Sequence, residues 1–127
     1  MRTAILTVAV LGSAFSIAIG TFSGSFFSMV GCAASHLGAP QAGADATAAG
    51  SSIFLFTGLQ SILGVVGGIH ANKALARGKE GRIGGFLLLA CSALSLGAGI
   101  FTFLTGGLLH LVAGVMALLA RPKKVSA

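Results

Sequence analysis

From Ile83 to Ala120 the chain carries no Asp, Glu, Lys or Arg, and most of its side chains are aliphatic or aromatic. A domain folded in water needs a charged surface, usually about 25% of its residues. Of these 127 residues only 8% are charged, and 55% are hydrophobic. Apolar runs of 18 or more residues read as transmembrane helices. Hydrocarbon offers no partner to a backbone N–H or C=O, so only helices or closed barrels cross it. The runs here are continuous rather than alternating, which does not fit barrel strands. The expected fold class is all-α: a polytopic membrane protein.

Length sets the number of spans. As one helix the uncharged stretch would extend about 57 Å, far beyond the ~30 Å hydrocarbon core. It is therefore read as two helices, 83–102 and 105–120, turning near Thr102–Gly107, where paired glycines tolerate a tight turn. A turn at Leu96–Gly99 is the alternative. The first apolar run, 3–32, would span about 45 Å, so it tilts or emerges from the lipid. Segment 33–52, AASHLGAPQAGADATAAGSS, is expected to be a flexible external loop, from its Gly/Ala/Ser content with Pro40 and Asp45. A helix over 53–72, a basic loop over 73–82 and a tail over 121–127 complete four transmembrane helices in two hairpins.

Charge orients this arrangement. The stretch HANKALARGKEGR holds Lys73, Arg77, Lys79 and Arg82; the remaining basic residues are Arg2, Arg121, Lys123 and Lys124. Four spans place all eight on one side and leave the other side only Asp45. The positive-inside rule makes that basic face cytoplasmic, with both termini inside, in a plasma (inner) membrane. Topology alone accounts for the segment. Anionic lipid headgroups, at about 1 kcal/mol per basic residue, or an acidic partner would be added uses. Helix formers over Asn72–Arg77 carry the second helix past the interface until Gly78 ends it. A nucleic-acid partner is excluded: there is no Trp, no Tyr and no soluble face to bear a recognition element.

The most patterned feature is a four-residue recurrence of small residues: Gly12, Ser16, Gly20, Gly24, Ser28 and Cys32. Gly64 and Gly68 in the second helix, Gly97 in the third and Gly114 in the fourth extend the theme. Small residues let helix backbones approach where no hydrophobic effect drives association. These positions are read as a helix-packing interface, within one chain or between chains. A four-residue step drifts about 40° on a 3.6-residue helix, so the stripe winds and meets more than one neighbour.

Gln60 and His110 are the intramembrane polar residues. Interhelical hydrogen bonding explains Gln60, and a pore-lining role is the alternative. His70 is placed at the cytoplasmic end and His110 just past the external turn, too far apart in depth for joint haem ligation. No metal or other cofactor is expected. Both carboxylates, Asp45 and Glu80, fall in loops, so proton-coupled transport lacks its intramembrane acid. No catalytic triad, zinc motif or phosphate loop is present. Cleavage and lipidation at Cys32 are disfavoured, because the preceding apolar run is about twice a signal core of 7–15 residues.

The stretch GLQSILGVVGGIHANKALARGKEGRIGGFLLLACSALSLGAGIFTFLTGGLLHLVAGVMALLARPKK begins at Gly58. It orders a glycine-dotted helix, a basic loop, a Gly-Gly-led helix, a Gly-Gly hairpin and a short helix ending in Arg and Lys. In this it resembles the uncharacterised small bacterial four-helix (tetraspan) membrane proteins grouped as a domain of unknown function. The resemblance implies a tetraspan architecture and carries no active-site residues.

The function expected from these features is non-enzymatic: a structural or accessory subunit of a larger membrane assembly, or a homo-oligomer. Its partners would be membrane lipid and other membrane-protein subunits or copies of itself. The alternative is a small oligomeric channel or pore.

Overall fold

The computed structural model describes residues Met1–Arg121; Lys123 and Lys124 of the expected basic face lie outside the described residues. Four helices follow one another: α1 (Arg2–His36), α2 (Pro40–Ala76), α3 (Arg82–Gly97) and α4 (Ile100–Leu119). Within α4 one stretch, Phe103–Gly107, is wound as a π-helix. No strand occurs among the described residues. α1, α2 and α4 are long and apolar enough to cross a membrane; α3, with 16 residues, is shorter.

The helices run up and down in a ring, each packed on the one before it, with α4 closing against α1. Their lengths are unequal. α1 and α2 have 35 and 37 residues, or about 52 and 55 Å at 1.5 Å per residue. α3 and α4 reach about half as far. The four-helix stage therefore ends near the α3–α4 turn, and α1 and α2 continue beyond it as a two-helix arm.

That arm corrects the expected loop over 33–52. The chain turns only at Leu37–Ala39, with Gly38 at φ +84°, and α2 starts at Pro40. Proline is favoured in the first turn because its missing N–H would have no helical partner there. The alanines that follow are the best helix formers. The glycines are packing sites rather than breaks: a Cβ on Gly43 would lie 2.7 Å from the Gly31 carbonyl oxygen, and one on Gly50 2.8 Å from that of Gly24. The α1–α2 backbones are in close contact along the arm.

The same physics moves the second hairpin. α3 and α4 join at Ala98–Gly99, within the alternative turn Leu96–Gly99, and Gly99 takes φ +111°, a conformation open to glycine. Gly106 and Gly107 do not turn; they lie buried inside α4. A Cβ on Gly106 would run into Ser16 Oγ of α1, and one on Gly107 into Ser95 Oγ of α3. Two adjacent glycines let two neighbouring helices close in on one turn of α4. The helix bounds 83–102 and 105–120 become 82–97 and 100–119 accordingly, and the basic connection shrinks from 73–82 to 77–81.

An apolar cluster of Ile5, Ala9, Ala71, Leu88, Ala113, Ala117 and Ala120 fills the end of the ring nearest Arg2 and Arg82. At that end a recess of about 590 Å³ is lined by Arg2, Gly78 and Arg121 among others. A second recess collects His70, Lys73, Arg77, Lys79 and Glu80. The described basic residues thus share one end of the molecule, and Arg82 pairs there with Glu80 at 2.7 Å. That pair is well exposed and contributes little.

Candidate functional site

The residues with the most chemical content meet halfway along the four-helix stage. Ser13 and Ser16 come from α1, Gln60 and Ser61 from α2, Cys91 from α3 and His110 from α4; all are buried. His110 is therefore not near the external turn, as the sequence suggested. Moving the turn to Gly99 sets it near the middle of α4, level with Ser13 and Gln60.

Small residues make room for the ring. A Cβ on Gly64 would collide with His110 Nε2, and one on Gly12 would lie 3.1 Å from the ring's Cε1. Ser13 Oγ is 3.1 Å from Nε2, and Gln60 Nε2 is 3.5 Å from Nδ1. The tautomer with Nε2 protonated satisfies this set: the ring donates to Ser13, and Ser13 donates to the carbonyl of Ala9 or Ser61, at 3.1 and 3.2 Å. Nδ1 then accepts from the Gln60 amide, which also donates to Ser16 Oγ at 2.8 Å. The Cys91 thiol donates to the Gln60 backbone carbonyl at 2.8 Å, tying α3 to the cluster.

Two polar atoms are left over. Gln60 Oε1 and Thr57 Oγ1 are buried without a hydrogen-bond partner. Rotating the Gln60 amide by 180° would change which of its atoms is unpaired and would not remove the deficit.

Ser13 beside His110 supplies the first element of a nucleophile–base pair. Neither side chain is open to a substrate, being 3% and 0% exposed. Asp45 and Glu80, the acids that would orient such a base, are exposed and far along the chain. The arrangement cross-links four helices through hydrogen bonds. Gln60, for its part, faces Ser16 and His110 inside the ring and presents nothing to a lateral surface.

The small-residue positions are brought together with one change of phase. Gly12, Ser16, Gly20 and Gly24 are buried against α2 and α4. Ser28 is half-buried, its hydroxyl bonded to the Gly24 carbonyl, and Cys32 is exposed; Gly31 takes the packed place instead. The 40° drift of a four-residue step carries Cys32 off the contact. Gly64, Gly68 and Gly114 are buried. Gly97 is exposed at the end of α3, where a Cβ would meet the Phe56 ring at 3.0 Å.

The sequence reading missed a second series. Gly43, Gly50, Thr57, Gly64 and Ala71 recur every seven residues along α2 and are all buried. A seven-residue period keeps one face of a helix turned to its neighbour over many turns. That period was visible in the chain, yet it ran through a segment whose composition suggested a loop.

No family model, curated protein or solved structure matches the chain.

Proposed function

We propose that this is a four-span integral membrane protein that serves as a non-enzymatic structural or accessory subunit of a membrane assembly. The observation that carries the reading is the buried polar cluster. Its groups bond one another across the helices, with neither an opening nor a carboxylate, as expected of residues that lock a bundle. Interhelical hydrogen bonds of this kind average about 0.6 kcal/mol and reach about 1.7. Several acting together specify how four apolar helices, otherwise free to slide in lipid, assemble. A pore between copies is less well supported, because Gln60 faces inward.

In this reading α3 crosses despite its 16 residues, since Arg82 and the turn at Gly99 bracket a length comparable with the hydrocarbon core. The four-helix stage then fills the bilayer, the arm projects outside, and the basic end faces the cytoplasm.

Topology is testable with cysteines introduced in a Cys32→Ser background. A membrane-impermeant maleimide added to intact cells should label Ala44→Cys in the arm and spare Ala76→Cys at the basic end. The reverse pattern would overturn the orientation. For the function, purification of the tagged full chain in mild detergent should recover companion membrane subunits or higher oligomers. A lone monomer would sink the accessory-subunit reading.

A further inference from the structure

α1 carries two distinct faces. The small-residue face packs inward. On the opposite side Phe15, Ala18, Phe22, Ser25, Met29 and Cys32 follow one another at alternating intervals of three and four residues, and all are exposed. The large side chains repeat every seven residues, and so do the small ones between them. An average spacing of 3.5 residues keeps one seam turned toward one partner helix. Layers of bulky and small residues in alternation let two backbones approach between the bulky layers.

We infer that a second copy of this chain docks along this seam, α1 against α1 in parallel, with Cys32 facing its counterpart. The parallel arrangement rests on the membrane reading above, because copies inserted in one orientation present α1 in the same direction.

Three observations select a second copy as the occupant. From Thr3 to Ala44 the chain has no Asp, Glu, Lys or Arg, so self-apposition brings no like charges together, and a charged partner would find nothing to pair with. With the four-helix stage in the bilayer, as proposed above, lipid does not cover the whole seam, since Met29 and Cys32 lie on the arm, past the end of α3 and α4. The available area is also sufficient. Phe15, Phe22 and Met29 are 51, 73 and 72% exposed. At roughly 200 Å² for a large side chain, these three offer on the order of 400 Å² per copy. With the exposed Ala18, Ser25 and Cys32 between them, two copies reach the roughly 1,000 Å² that a specific interface requires.

Oxidative cross-linking of the full chain in native membranes tests the inference. Copper phenanthroline should convert the protein to a disulfide-linked dimer through Cys32, since facing positions in parallel helices come within disulfide reach. In a Cys32→Ser background, Ser25→Cys should restore the dimer. Ile17→Cys, exposed but on a neighbouring face, should not. With Cys32 retained, Phe22→Ala combined with Met29→Ala should lower the cross-linked fraction about tenfold, as truncation of central anchors does. Both side chains are exposed, so folding is not at stake. The inference falls if neither Cys32 nor Ser25→Cys gives a dimer, or if Ile17→Cys cross-links equally well. It also falls if Cys32 is trapped in a species of another mass. That last result would leave the accessory-subunit reading standing, whereas release of the chain by alkaline carbonate would remove the membrane reading itself.

Discussion

Replacing Gly84 with alanine is expected to cost about 2–3 kcal/mol of stability, in the upper range for overpacking a tight contact. The added Cβ would lie 2.5 Å from the Ala71 backbone nitrogen and 2.6 Å from the Gly67 carbonyl oxygen. Those atoms belong to α2's own backbone and cannot rotate away, so α2 and α3 must separate along their length. Gly58 provides the matched control, because its added Cβ would meet nothing within 4 Å. There alanine should be neutral or stabilising by up to about 1 kcal/mol, through reduced freedom of the unfolded chain. Thermal unfolding in detergent should show Gly84→Ala melting roughly 5–15 °C lower and Gly58→Ala unchanged or higher. Equal melting temperatures for the two variants would mean that the α2–α3 backbone contact is not present in the folded protein.

His110→Ala is the second large effect, at about 3–5 kcal/mol. It opens a cavity where a completely buried ring stood. It also leaves Ser13 Oγ without its ring partner and the Gln60 amide with one fewer acceptor. A double-mutant cycle with Ser13→Ala separates the two contributions. The coupling should be about 0.6 kcal/mol and no more than about 1.7, the average and the upper limit for interhelical hydrogen bonds in membranes. Strict additivity, measured by denaturation in mixed micelles, would show that the Ser13–His110 contact holds nothing together. His70 is the internal control: it is exposed at the basic end, and His70→Ala should change stability by less than about 0.5 kcal/mol.

The glycines show how far composition can be read. Gly12, Gly20, Gly64 and Gly114 were recognisable as contact positions from their spacing with other small residues, and the structure buries them. Gly43, Gly50, Gly106 and Gly107 were not. In water a Gly/Ala/Ser-rich stretch or a Gly-Gly pair has no apolar side chains to hold a helix, so loop and turn are the natural expectation. In a close-packed helix pair the missing side chain is itself the contact, because it lets another backbone approach. The sequence of residues is the same in both cases. Only the position of the neighbouring helix distinguishes them, and for Gly43 and Gly50 its one trace in the chain is their seven-residue spacing from Thr57, Gly64 and Ala71.

The polar cluster divides in the same way. Gln60 and His110 stood out as polar residues in apolar helices. Of their partners, Ser16 was legible only as a small packing residue, and Ser13 and Cys91 not at all, because serine and cysteine are common in such helices and serine can bond its own backbone four residues back, as Ser28 and Ser35 do. Placing His110 at mid-depth required the α3–α4 turn to fall at Gly99, where a positive φ favours glycine.

By itself the sequence determined the helical class and the apolar runs. Each follows from side-chain transfer energies, which are properties of residues taken one at a time. The tertiary structure decided where the helices stop, which glycines are contacts, and that Ser13, Gln60 and His110 form one hydrogen-bonded cluster. Those outcomes depend on distances between segments far apart in the chain, and they arise only when the backbones are close enough for the absence of a side chain to matter.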